Sequence, residues 1–190
     1  MMYISFPDVR ISDYVFYKLL AKRRSVRKFK RDEISMKEIG EILWAADGIS
    51  DSLNGFRTAP SAGALYPVDV FIFIKDGIYR YLPEKHGIEI WNKEDRRREL
   101  KKACLNQDWV FTSLVIVLVG FPERITPKYG DRGIRYIYLE AGHIAQNIHL
   151  AAVNLGMGSV PVGAFYDDEV KKILGIKNCL ITYVIPVGKI

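Results

Sequence analysis

With 49% hydrophobic and 12% aromatic residues, a chain of 190 residues holds enough apolar material for one sizeable core, and it reads as a single domain over 1–190. It carries 28 Lys and Arg against 22 Asp and Glu, yet seven of those cations (Lys22, Arg23, Arg24, Arg27, Lys28, Lys30, Arg31) crowd into KRRSVRKFKR at 22–31. Elsewhere bases and acids nearly cancel, which argues against a binder that tracks a nucleic-acid backbone with bases spread along a face.

The chain opens MMYISFPDVR, with charges where a signal peptide needs an apolar run, and no window approaches eighteen apolar residues. The expectation is a soluble, cytoplasmic protein with no membrane partner. Cys104 and Cys179 lie far apart without ligand spacing and read as reduced core residues, with a disulfide as the alternative.

In chain order, Ser12 or Asp13 would cap a helix running to about Arg24, with Val15, Leu19 and Leu20 apolar. Ser35 stands three residues before Glu38, a capping box, and Ile39, Ile42, Leu43 and Ala46 repeat at helical spacing up to Gly48. Residues 50 to 67, with Asn54-Gly55, Pro60, Gly63 and Pro67, read as a long irregular loop of the functional kind.

VDVFIFIK (68–75) is a strand that turns at Asp76-Gly77 into IYRYL, and a second hairpin runs through 84–87, including His86, into IEIW. Residues 94 to 104 read as a charged helix, and SLVIVLVGF (113–121) as a central strand buried on both faces.

Residues 131 to 155 form a long helix. Ile137, Ala141, Ile144, Ile148, Ala152 and Leu155 make its apolar stripe, and Tyr136, Glu140, His143 and Asn147 a polar one. Ala141, Gly142 and Ala145 are small enough for another helix to approach closely. A weak strand, a helix over 167–174 and a final strand CLITYVIPVG complete a chain in which helices are expected to outnumber strands. The fold class is α+β, or mixed α/β, around one sheet.

Several chemistries fail on spacing. GMGSVPVG (156–163) follows a helix, contains Pro161 and lacks the downstream acid of a dinucleotide fingerprint. Ser61 in APSAG has Ala59 where a nucleophile elbow needs glycine. His86, His143 and His149 have no zinc-ligand spacing, and no phosphate-binding GxxxxGK[ST] loop exists. What remains is the basic stretch. It follows a helix into an extended segment, where Arg23, Ser25 and Arg27 alternate onto one side and could converge on one ligand. Guanidinium forks suit a dianionic phosphomonoester, and RNA would fit as well.

RRSVRKF (23–29), ISMKEIGEILWAADGI (34–49), APSAGALYP (59–67), YGDRGIRYIYLEAGHIAQNIHLAA (129–152), LGMGSVPVGAF (155–165) and the closing VIPVGK together resemble the FMN-dependent nitroreductase superfamily. AGALYP and EAGHIAQN are similar to its SagB-type branch, which includes azoline dehydrogenases of peptide biosynthesis. The resemblance implies a nitroreductase-like fold, a central, mostly antiparallel sheet flanked by helices, with a helix-mediated interface in a homodimer that holds FMN between subunits.

It implies that Arg23, Arg24, Ser25 and Arg27 meet the FMN phosphate, ribityl chain and pyrimidine edge. Pro60, Ser61, Ala62, Gly63 and Leu65 would line the flavin from the other subunit, Val162, Gly163 and Ala164 would lie along the ring, and Lys189 would return to the phosphate. Lys128-Tyr129 matches a pair implicated in chemistry among azoline dehydrogenases; read from the residues alone, it is equally a surface lysine and a packing tyrosine. The expected function is oxidoreduction of a small organic substrate, with NAD(P)H as a candidate donor and no nucleic acid involved. The alternative is an anion- or nucleic-acid-binding module that uses residues 22–31 without redox chemistry.

Overall fold

The computed structural model describes residues 15–190. The proposed cap at Ser12 or Asp13 lies outside the described residues. The first helix, α1 (Val15–Lys22), ends where expected but buries none of its residues. In α2 (Met36–Asp47) the capping box forms as read: the Glu38 amide donates to Ser35 Oγ at 3.3 Å, and Ser35 N donates to Glu38 Oε2 at 2.9 Å.

Residues 50–67 differ from a plain loop. A small hairpin of β1 (Ile49–Asp51) and β2 (Phe56–Arg57) forms at their start. Its turn is built by Asp51, whose carboxylate accepts from Leu53 N at 3.0 Å and Asn54 Nδ2 at 2.7 Å. Asn54-Gly55 thus closes a hairpin, with Gly55 at φ 69. The rest of the stretch is irregular apart from one 3-10 turn at Ala62–Ala64.

The main sheet takes β3 (Val68–Ile74), β4 (Gly77–Leu82), β5 (Gly87–Asn92), β6 (Leu114–Gly120), β7 (Met157–Ser159) and β8 (Leu180–Lys189) in the order β5-β4-β3-β6-β8-β7, every neighbouring pair antiparallel. Period-2 alternation splits the core. Val70, Ile72, Leu114, Ile116 and Leu118 face α2 and the long helix α5 (Arg132–Asn154), reached through the short α4 (Thr126–Tyr129). Phe71, Phe73, Val115, Val117 and Val119 face α3 (Arg97–Ala103) and α6 (Asp167–Leu174) on the other side. Every residue of β6 is buried, as its unbroken apolar run required.

One expectation is corrected: strands outnumber helices. The described residues hold eight strands and six α-helices; the hairpin strands at 49–57 are too short to show a period, whereas the weak strand expected after the long helix is Met157–Ser159. The close approach of another helix occurs within the chain: Ala141 and Ala145 are buried where α2 packs on α5, while Gly142 faces open space. Both cysteines are free and buried, and among the described residues no helix is long and apolar enough to cross a membrane.

Candidate functional site

The basic segment leaves α1 and runs extended along the edge strand. Val26 N donates to Ser159 O at 3.0 Å, Ser25 bridges Ser159 in parallel, and Lys30 N donates to Lys189 O at 2.9 Å. Alternation turns Val26 inward, and glycines make room for the segment. A Cβ on Gly158 would stand 2.7 Å from Val26 Cβ, and one on Gly188 2.8 Å from Phe29 Cδ1. Ser25 and Arg27 point the other way and are exposed, while Arg23 is half-buried.

Arg24 Nη1 donates to the Arg23 carbonyl at 2.7 Å, and Arg27 lies 5.6 Å from the Trp109 ring centroid. Among the described residues, Arg23, Arg24 and Arg27 have no carboxylate partner. Lys189 does: its Nζ donates to Glu38 Oε1. That bond, with those from Ser35, holds the Glu38 carboxyl down at about 2.

Beneath this segment lies a residue that the sequence did not mark. His149 is buried, its Nδ1 is 2.7 Å from Ser159 Oγ, and its Nε2 has no partner among the described residues. Burial first, and the Arg23 charge second, push its pKa down to about 4, so the imidazole stays neutral near pH 7.

The chain continues beside β8, where Val162 and Val184 exchange backbone bonds of 2.8 and 3.0 Å. Ser159 sits opposite Val187 and Val162 opposite Val184, so about 10 Å of one strand separates the basic segment from this turn. Gly163 and Ala164 are exposed, their amides donate to nothing among the described residues, and nothing crowds Gly163. Gln107, unremarked in the sequence, donates from Nε2 to Ala164 O and to Cys104 O, both at 2.9 Å, and so fastens the turn.

The loop 59–66 is conformationally costly. Gly63, Ala64 and Tyr66 all have positive φ (65, 52 and 46), a region that disfavours any residue with a Cβ. Tethers from outside hold it. Ser61 Oγ donates to Glu140 Oε2 and accepts from Tyr66 N at 2.9 Å. The Arg57 guanidinium lies 4.2 Å over the Tyr66 ring while bound to Asp47 at 2.5 Å, and Arg124 donates to the Tyr66 carbonyl at 3.4 Å while bound to Asp69. Burial pushes the Glu140 and Asp47 carboxyls each up to about 7. Pro60 is exposed, and Ala62 and Leu65 pack half-buried against the core.

Lys128 and Tyr129 stand directly over this loop, for a Cβ on Gly63 would meet Lys128 Nζ at 2.7 Å and Tyr129 Oη at 2.8 Å. The loop and the pair therefore form one group, and the basic segment and the 162–164 turn another. A single chain keeps the two apart. Ser61 is tied to Glu140 and Ser159 to His149. Those anchors lie nine residues apart on α5, about 14 Å along its axis and on opposite sides of the helix.

The Nitroreductase family model matches residues 20–189. The Methanocaldococcus jannaschii protein named "Putative nitroreductase MJ1384" is 41% identical over 195 residues, covering 99% of this chain and 96% of its own length. The Escherichia coli Microcin B17-processing protein McbC is 25% identical over 159 residues, which cover 77% of this chain and 58% of McbC. A solved structure from Ralstonia eutropha JMP134, given the same provisional name of nitroreductase, superposes with a TM-score of 0.84 at 26% identity, covering 98% of this chain and 87% of its own. The Escherichia coli microcin synthetase McbBCD complex, at 22% identity and a TM-score of 0.78, shares the fold over 99% of this chain and 75% of its own. By the family match, and by its likeness to the Methanocaldococcus protein over nearly the whole of both chains, this chain belongs to the nitroreductase family.

Proposed function

We propose that the protein is an FMN-dependent oxidoreductase that works as a homodimer in the cytoplasm. One observation carries the reading: arginines that have no carboxylate partner among the described residues share a sheet edge with a turn whose amides donate to none of them, while a strained loop with its own lysine and tyrosine sits across α5. A second copy of the chain would bring the missing loop to each edge.

The residues fit the cofactor. Arg23, Arg24, Ser25 and Arg27 would hold the phosphate, ribityl chain and pyrimidine edge through charge-assisted bonds. Lys189, already ion-paired, would serve the phosphate together with Glu38 as an oriented pair. Val162, Gly163 and Ala164 would lie along the ring and offer their amides to its edge. Pro60, Ser61, Ala62, Gly63 and Leu65 of the other copy would cover it and exclude water.

Bound FMN would supply a two-electron carrier that accepts and returns hydride at N5. Arg27 would favour the negative charge that the reduced ring acquires. Lys128 Nζ and Tyr129 Oη, poised at Gly63, would hold or accept the proton that accompanies hydride at the substrate. NAD(P)H or an organic substrate would be the donor, with nitroaromatics, quinones or flavins as acceptors. The likeness to the microcin-processing protein McbC supports the opposite use, in which a SagB-type enzyme of this kind oxidises peptide azolines. The two buried free thiols fit a reducing compartment.

The purified protein should be yellow, with flavin absorbance bands and a released chromophore of the mass of FMN. A colourless protein that refuses added FMN would leave an anion-binding module and remove the enzyme.

A further inference from the structure

The Lys128-Tyr129 pair is one end of an open groove of about 1000 Å³ that continues along the start of α5 past Arg132, Arg135, Tyr138 and Leu139. Its charge is one-sided. Lys128, Arg132 and Arg135 face a single acid, Asp131, and among the described residues none of the three cations has a carboxylate within ion-pair distance. Its apolar part is exposed as well, with Tyr138 51% and Leu139 54% accessible.

The arginines do nothing for the fold that the structure shows. They open α5, whose first turn carries no acid and whose N-cap Asp131 makes no side-chain bond, so their charge opposes the helix dipole. A local cost without a structural return is characteristic of a functional site.

We propose that this groove is the substrate cleft and selects substrates with an anionic group, a carboxylate or phosphate. Arg132 and Arg135 hold the acid end, Tyr138 and Leu139 cover the apolar body, and the redox-active part reaches Gly63 beneath Lys128 and Tyr129. The assignment rests on the flavoenzyme reading above and names its substrate class.

The test measures binding to the FMN-loaded protein by calorimetry, with 4-nitrobenzoate against the equally large, neutral 4-nitrobenzamide. Two exposed ion pairs should favour the benzoate by about tenfold in Kd, a preference that narrows as salt rises. The double substitution Arg132→Gln, Arg135→Gln should bring the two Kd values together, with unchanged circular dichroism to show that the fold survives. 4-Nitrophenyl phosphate as a third ligand tells whether the cleft prefers phosphate or carboxylate. Equal affinities in the unsubstituted protein, or an equal loss for both compounds in the variant, would overturn the cleft while leaving the flavoenzyme intact. A protein that takes up no FMN would instead defeat the reading beneath it.

Discussion

Ser61 and Glu140, 79 positions apart in the chain, form the tie that seats the strained loop on α5: the hydroxyl donates to Glu140 Oε2 while its oxygen takes the Tyr66 amide. The other carboxyl oxygen of Glu140 is buried with no hydrogen-bond partner among the described residues, and burial outweighs the pull of Ser61, the Val68 amide, Arg57 and Arg124 toward the ionised form.

Glu140→Gln tests that state. Folded Glu140 keeps its proton up to about 7, whereas an unfolded glutamate loses it near 4.5, so between those values the folded chain binds the extra proton. Its contribution to stability is complete below pH 4.5 and is lost as pH rises through 7, a change of at most about 3 kcal/mol. Glutamine has no such dependence and still offers Ser61 an acceptor. Thermal melts from pH 5 to 8 should show the variant gaining steadily on the parent, and parallel curves would mean that Glu140 is already ionised in the fold.

At Gly63, alanine meets two obstacles, a positive φ and the ends of Lys128 and Tyr129. The backbone term costs roughly 1 to 2 kcal/mol for a residue with a Cβ, and the side-chain ends must swing away. Gly63→Ala should keep the fold, with a lower melting temperature, and lose most substrate turnover while retaining bound FMN. Turnover at the parental rate would separate the Lys-Tyr pair from the chemistry.

On the basic edge, charge and seating can be varied independently. Arg27→Ala should weaken FMN binding by at least about tenfold, because it removes a charge-assisted contact. Lys30→Ala, whose amine is spent on the Ile190 carbonyl at 2.7 Å, should change it by less than about threefold. Gly158→Ala alters no charge yet presses its Cβ on Val26, so it should also weaken flavin binding. Flavin titration by fluorescence quenching reads all three, and equal affinities would unseat the basic edge as the cofactor site.

The proposed pairing of two copies would use a different surface. Phe16 of α1 is exposed beside Trp44, and both line an apolar groove of about 450 Å³ that runs between α1, α2 and α5 past Leu150 and Leu155. If a second copy covers this face, Phe16→Asp removes a buried apolar contact twice and should weaken the dimer by about a hundredfold. Sedimentation should show the variant dissociating at concentrations where the parent stays paired, with α1 the only element disturbed. An unaltered mass distribution would place the interface elsewhere.

Much of this architecture is legible without coordinates, for a local reason. The Ser35 and Glu38 capping box, the unbroken run of β6 and the 3.6-residue stripe of α5 each depend on residues within a few positions of one another, and all form as read. The hairpin at 49–57 escaped because its strands are too short to show a period, and the small residues of α5 announce a close neighbour without saying which, a place that α2 takes.

The sequence by itself determined the mixed α+β class, the longer helices, the family and the stock of arginines and glycines, since propensity, capping and alternation act between near neighbours. Only the tertiary structure decided that Lys189 is held by Glu38, that His149 lies neutral under Ser159, that Gln107 fastens Ala164 and that Glu140 is buried against Ser61. Most of those contacts join residues from 57 to 151 positions apart, and even His149 and Ser159, ten apart, lie on different elements. No local period encodes such pairs; they exist because sheet register and helix packing bring the groups together and leave buried polar atoms no water as an alternative.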